Sequence, residues 1–254
     1  MAREPELRVV LVGQERVGKS SAGNTILGKK EFDCKFSARP VTLSSERREG
    51  LVLGRRVSVV DTPGLFSTEL REEMVRAELE KAVQLSSPGP CVFLLTLQLG
   101  RLTEQEQKGL KTLMTMLSPA VADHIMLLFT YGDRLEDTNI EQFIRGDKNL
   151  QKMLKKCSGQ YHVFNNREMG NTDQVKELFD KIDSTFKGKY FTLQPASFQK
   201  KLVRWISMPV GYIWNFRSRS FRWISFLVVV CSVFYTVRWI MRWGERDDEI
   251  ESML

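Results

Sequence analysis

Residues 13–20, GQERVGKS, place two glycines, a lysine and a serine at the spacing G-x-x-x-x-G-K-[ST]. That spacing suits the capture of phosphate. Gly13 and Gly18 let the main chain of Gln14, Glu15, Arg16 and Val17 wrap closely, so that successive N–H groups point inward at an anion. A helix beginning at Lys19 would add the favourable field of its N-terminus. Lys19 is expected to reach β- and γ-phosphates and Ser20 to ligate Mg2+. Asp61-Thr62-Pro63-Gly64 follows some forty residues on. There Asp61 would emerge from a strand end to hold the Mg2+ shell through water, and Gly64 would offer its N–H to a γ-phosphate. A third cluster, Thr130-Tyr131-Gly132-Asp133, stands where N/T-K-x-D reads a guanine base. Asp133 can accept from guanine N1–H and from its exocyclic amine, a pair of donors that adenine lacks. The lysine stem that usually covers the base is missing, and Tyr131 is the candidate cover. Asn165-Asn166 are placed to approach guanine O6.

These groups need strand ends and helix starts to hold them. Leu7–Val12 reads as a buried strand before the glycine loop, with further strands within Leu51–Leu53 and over Arg56–Val60. Cys91–Leu97 and Ile125–Phe129 are nearly continuous apolar runs, as in a parallel sheet covered on both faces. Tyr161–Phe164 would be a short last strand. Helices are expected from Lys19, over Arg71–Leu85 with Met74, Val75, Leu79, Ala82 and Val83 inward, and from Thr103 to Leu117. The third opens on a capping box, with Thr103 as N-cap and Glu106 at N3. Two more are expected over Ile140–Lys156 and Thr172–Phe186. Alternating strands and helices predict a three-layer α/β domain with a mostly parallel sheet, and DTPG some forty residues beyond the P-loop lysine reads as a switch of the GTPase type.

The chain has 254 residues, 42% hydrophobic and 27% charged, with a net charge of +7. The positive charge is diffuse before residue 195, which fits solvated surface better than a nucleic-acid partner. Cys34, Cys91, Cys157 and Cys231 have no paired spacing, so neither a zinc site nor a disulfide framework is expected. From MAREPELRVV and ESML, no signal peptide, myristoylation or prenylation is expected. After about residue 195 the character changes, and all five tryptophans lie there. Residues 223–237, WISFLVVVCSVFYTV, carry no charge. Extended to 221–243, the stretch is long enough for a helix to cross a bilayer, with Arg222, Arg238 and Arg242 near its ends and Trp223, Trp239 and Trp243 at interfacial depth. The domain organisation is therefore read as a nucleotide-binding domain over 5–195, a basic and aromatic connector over 196–220, a transmembrane or hairpin anchor over 221–243 and an acidic tail over 244–254. Arg217, Arg219 and Arg222 put the preceding domain on the cytoplasmic face of an intracellular membrane.

The blocks GQERVGKSSAGNTILG (13–28), DTPG (61–64), GPCVFLLTLQLGRLTEQEQ (89–107), FTYGDRLEDTNIEQFI (129–144) and FNNR (164–167) together resemble the GTPase of immunity-associated protein family. That family has an AIG1-type G domain and sits in the septin-like and chloroplast-translocon-like branch of P-loop GTPases. The resemblance covers about residues 7–190 and implies GTP or GDP with Mg2+ as ligands. By resemblance, Thr42 in ARPVT (38–42) matches a mobile threonine that caps Mg2+ and the γ-phosphate. Ser21 continues the phosphate cradle, and Cys34 stands where relatives place a serine near the nucleotide. Relatives form GTP-dependent dimers, and Arg101 matches an arginine that some of them extend across that interface; its plain reading is a surface arginine by a helix cap. Leu65 and Phe66 follow Gly64, so the glutamine that orients water in many small GTPases is absent and slow hydrolysis is expected. The sequence thus points to a membrane-anchored, GTP-controlled assembly switch partnered by itself or by family members. A GTP-loaded scaffold with negligible hydrolysis is the rival, and a P-loop kinase or ATPase, lacking an evident acceptor site, a more distant one.

Overall fold

The computed structural model describes residues 5–192 apart from 36, 38, 101, 187, 188 and 190. The chain divides into two units, Met1–Gln194 and Pro195–Leu254. The connector, anchor and tail expected after residue 195, and Arg101, lie outside the described residues. Among the described residues no helix is long and apolar enough to cross a membrane.

Six strands form one sheet in the order β2-β3-β1-β4-β5-β6. They are β1 (Leu7–Gly13), β2 (Glu46–Val52), β3 (Arg55–Asp61), β4 (Val92–Gln98), β5 (Ile125–Thr130) and β6 (Tyr161–Val163). β2 and β3 form an antiparallel hairpin, and every other pairing is parallel. Alternation along the strands explains the layers, because successive side chains point to opposite faces. Val10, Val12, Phe93, Leu95, Ile125 and Leu127 face one side, where they meet α2 (Glu72–Leu85), α3 (Glu104–Met116) and α5 (Lys148–Lys155). Val9, Leu11, Val92, Leu94, Met126 and Leu128 face the other, against α1 (Lys19–Leu27) and α6 (Thr172–Phe186). β1, β4 and β5 are therefore apolar on both faces and central.

Three expectations are corrected. The single helix over Ile140–Lys156 is two, α4 (Ile140–Gly146) and α5, parted at Asp147. Asp147 is extended, and its carboxylate accepts from the N–H groups of Asn149 and Leu150, so it starts a new helix instead of continuing the old one. β2 begins at Glu46, well before Leu51, because an edge strand at the rim of a sheet tolerates the charged run Glu46-Arg47-Arg48-Glu49. Met74 is exposed, since the buried stripe of α2 is narrower than expected: Val75, Leu79, Ala82 and Val83. The capping box at Thr103 and Glu106 is present as expected.

Candidate functional site

The parallel strands all point their carboxyl ends at one rim, where an open α/β sheet gathers its ligand. β1 runs directly into the glycine loop at the point where the strand order reverses, with β3 on one side and β4 on the other. Gly13 lies so close to β4 that a Cβ on it would come within 2.5 Å of the Thr96 carbonyl oxygen. Lys19, only 7% exposed at the start of α1, turns its Nζ back onto the Gln14 carbonyl at 2.6 Å. Burial lowers the lysine pKa, while the carboxylates of Asp61 and Glu15 act in the opposite direction.

Asp61 ends β3 beside the loop. Ser20 Oγ donates to its Oδ2 at 2.6 Å and Thr42 Oγ1 donates to the same oxygen at 3.1 Å. The two hydroxyl oxygens are 3.4 Å apart. Three oxygen-bearing side chains from three separate segments thus converge on one point. Asp61 Oδ1 is buried without a partner, as is Gln14 Nε2 in the loop itself. Burial pushes the Asp61 carboxyl up, and the Lys19 charge and the Ser20 and Thr42 hydroxyls pull it down. An unfilled carboxylate oxygen beside two hydroxyls and a buried lysine fits a hard divalent cation with phosphate oxygens, Mg2+ above all. Ser20, Thr42 and Asp61 are the residues that would hold it.

Thr42 is held in place from behind. Ser45 N donates to Glu78 of α2 at 2.5 Å, Ser45 Oγ donates to the Glu78 carbonyl at 2.8 Å, and Ser44 Oγ donates to the Glu78 carboxylate. No sequence motif signals this clasp. Gly64 lies against Glu15, and Leu65 N donates to the Gly13 carbonyl at 3.0 Å. The segment after DTPG therefore closes over the phosphate loop.

A cleft of about 440 Å³ opens beside α1, lined by Ser21, Asn24, Phe32, Cys34, Asn166 and neighbouring side chains. Ser21, Cys34 and Asn166, each named from the sequence, line the same cleft. Asn24 was not foreseen. Its Oδ1 accepts from the N–H groups of Glu31 and Phe32 at 2.8 Å each, and its Nδ2 donates to the Phe32 carbonyl at 2.9 Å and to Cys34 Sγ at 3.2 Å. One amide side chain thus fixes the wall of the cleft. Burial raises the Cys34 thiol pKa. Asn166 accepts from Thr25 Oγ1 at 3.0 Å, which ties the end of β6 to α1.

Tyr131 and Asp133 follow β5. Thr130, fully buried, donates from Oγ1 to the Val17 carbonyl at 2.6 Å and so braces the phosphate loop, a role the sequence reading missed. Gly132 N donates to the Phe164 carbonyl at 2.9 Å, joining the ends of β5 and β6. Asp133 pairs with Arg167 at 3.0 Å. The Tyr131 ring carries the Arg134 guanidinium at 4.5 Å from its centroid. Arg134 also donates to the Leu99 carbonyl at 3.2 Å, which anchors the stack to the end of β4.

The sequence profile of the AIG1 family matches residues 7–204. The chain belongs to the AIG1 family. Human GTPase IMAP family member 8 is 33% identical over 182 residues, covering 70% of this chain and 27% of that protein. The chain thus spans little more than a quarter of that relative. Among solved structures, Toc33 from Arabidopsis thaliana in complex with Mg2+ and GMPPNP has a TM-score of 0.55 at 15% identity, over 73% of this chain and 86% of that one. A structure of the chloroplast translocon components atToc33 and psToc159, for which dimerization is described as important for GTPase activity, has a TM-score of 0.58 at 15% identity, over 74% and 86%. At such identity the likeness shows the fold, an α/β P-loop GTPase fold with a mostly parallel sheet, which bears out the fold expected of the first unit. Family membership also bears out the resemblance read from the sequence blocks.

Proposed function

We propose that the chain binds GTP and GDP with Mg2+ and acts as a nucleotide-dependent assembly switch on a membrane, with slow hydrolysis. The observation that carries the binding is the convergence of Ser20, Thr42 and Asp61 on one point, with Asp61 Oδ1 buried and unfilled. Lys19 would neutralise the β- and γ-phosphates, and the main-chain N–H groups of Gln14, Glu15, Arg16, Val17 and Gly18 would cradle them. Bound Mg2+ would supply charge to the phosphate oxygens. Thr42 and Gly64 would sense the γ-phosphate from opposite sides.

Tyr131, Gly132, Asp133 and Asn166 form the proposed guanine end. Asp133, paired with Arg167, would accept from the base. A base that leaves a buried acceptor unsatisfied loses about 1–3 kcal/mol for each such group, which is the basis of the expected preference over adenine.

Slow turnover is supported by the residues after Gly64. Leu65 is buried and Phe66 packs on the same core, so neither can orient water. Dimer formation through the nucleotide face would complete the site, with Arg101 as the residue offered across the interface; dimerization is described as important for the GTPase activity of the similarly folded atToc33 and psToc159. The scaffold reading keeps the binding site and drops the turnover. Single-turnover hydrolysis of GTP and ATP, followed over a wide range of protein concentration, separates the two. A GTP-selective rate that climbs with concentration supports the switch; a flat and negligible rate with tight GTP binding leaves the scaffold. Failure to bind either guanine nucleotide overturns both.

Membrane attachment through 221–243, at the cytoplasmic face of an intracellular membrane, is supported by the uncharged run and its flanking arginines and tryptophans. Complete release of the full chain by alkaline carbonate would refute insertion.

A further inference from the structure

Glu15 is the acidic residue of the phosphate loop 13–20. The loop exists to gather positive potential, and Glu15 puts a carboxylate among its N–H groups. The side chain has a definite place. Its Oε1 accepts from the Thr68 N–H at 3.0 Å, and Oε2 lies 3.5 Å from the Thr68 hydroxyl. It also covers Gly64 so closely that a Cβ added there would stand 2.4 Å from Glu15 Cγ and 2.9 Å from Glu15 N. Gly64 is the residue whose N–H would meet a γ-phosphate. Along with Asp61, Glu15 is one of the two carboxylates that act on the buried Lys19 ammonium, the group that would reach the β- and γ-phosphates. The carboxylate therefore stands at the γ end of the site, on the segment that follows DTPG.

From this geometry we propose that Glu15 discriminates against the γ-phosphate, favouring the diphosphate, and that it couples this preference to the segment Leu65–Leu70 by holding the Thr68 N–H. The inference rests on reading the site as one for guanine nucleotides. A γ-phosphate brings negative charge to the place where a carboxylate already lies, and like charges facing one another oppose binding, by a modest amount where the carboxylate is exposed to water, as at Thr68. A diphosphate leaves that place to Glu15. Relief of the repulsion requires the carboxylate to swing away, and swinging away gives up Thr68. Triphosphate binding would thus loosen the segment that Glu15 holds in the diphosphate state. Asp61 does not share this role, because it lies on the Ser20 and Thr42 side, where a cation offsets its charge.

The test is made on the full chain with Mg2+, titrating GDP and GMPPNP. Glu15→Gln removes the charge and keeps an acceptor for the Thr68 N–H. The ratio of GMPPNP affinity to GDP affinity is expected to rise about fivefold or more in this variant. In the unaltered chain, amide hydrogen exchange at Thr68 is expected to be faster with GMPPNP than with GDP; this readout needs no variant to fold. An unchanged affinity ratio in Glu15→Gln overturns the discrimination, and equal exchange at Thr68 with the two nucleotides overturns the coupling. If the unaltered chain binds neither nucleotide, the guanine-nucleotide reading itself falls; if it binds both and the ratio stays put, only the role of Glu15 does.

Discussion

Replacing Asn24 by alanine tests how the nucleotide cleft is built. The side chain is 5% exposed and satisfies three main-chain groups of the following loop: the N–H groups of Glu31 and Phe32 and the Phe32 carbonyl. Glu31 is partly exposed, so water can replace the bond to its N–H. Phe32 is buried at 5% exposure; its N–H would be stranded, and its carbonyl would keep only the long bond from Cys34 Sγ at 3.5 Å. At about 1–3 kcal/mol for each stranded group, and with some recovery by water entering the adjacent cleft, the loss comes to about 3 kcal/mol. For a domain of this size that is a fall in Tm of roughly 6–12 °C. The loop also walls the cleft, so freeing it should reduce the population competent to bind. A rise in the Kd for GDP of about tenfold or more is expected. Asn24→Asp keeps both acceptor bonds, loses the donor to Phe32, and should fall between alanine and the original residue in Tm. Calorimetry and fluorescent-GDP titration read the two effects separately. A Tm change below about 2 °C would refute the energetic reasoning. A large Tm change with unaltered GDP affinity would show that the loop does not belong to the nucleotide wall.

Gly13→Ala should abolish nucleotide binding and destabilise the fold by about 3 kcal/mol or more: its φ of 147° is strained for alanine, and the new Cβ meets a β4 main-chain carbonyl, as denaturant unfolding and GDP titration would show. His162 is 2% exposed, and burial, helped by the Lys181 charge and opposed by Glu177, pushes its imidazole from 6.5 down to about 4. The unfolded chain therefore takes up the proton first as the pH falls, so stability is lost between about pH 6.5 and 4, by up to about 3 kcal/mol. His162→Leu should flatten that part of the profile when urea unfolding is compared at pH 7 and pH 4.5. Asp61→Asn should remove the Mg2+ dependence of nucleotide affinity: chelation is expected to weaken binding at least about tenfold in the unaltered chain and less than about twofold in the variant.

What the sequence revealed and what it hid follow from how far each signal reaches along the chain. The glycine loop, DTPG and the central strands were legible because their causes are local: close approach, strand alternation and apolar runs of the right length. The Thr103 capping box was legible for the same reason, four consecutive residues sufficing. The break at Asp147 was not, because Gly146-Asp147 interrupts a pattern whose apolar spacing otherwise continues, and a cap shows its preference only once the chain has turned. β2 was nearly invisible, since an edge strand draws its order from hydrogen bonds to β3, whatever its own charges. Asn24 and Thr130 were in view as letters of motifs, but their partners lie at Phe32 and Val17, and only the folded chain brings a bond across 113 positions from Thr130 to Val17. Glu78 carries no signature of any kind. A glutamate on an amphipathic helix reads as solvated surface until Ser44 and Ser45 are found against it.

The polar interior of the site explains why binding and stability should be linked. A buried lysine with a lowered pKa and a buried aspartate with a raised one oppose the charge that each must carry to hold a phosphate and a cation. Lys19 meanwhile rests on a loop carbonyl, and one buried oxygen of Asp61 lacks a hydrogen-bond partner. Such groups are tolerated in a fold when something else satisfies them, because a stranded charge weakens the structure that surrounds it. Mg2+ and phosphate oxygens would supply what Asp61 Oδ1 and Lys19 Nζ lack, and they would do so only in the folded state. By mass action, nucleotide at a hundred times its Kd would stabilise the domain by about 2.7 kcal/mol. The gain should centre on the segments around Thr42 and Gly64, which meet the site from opposite sides.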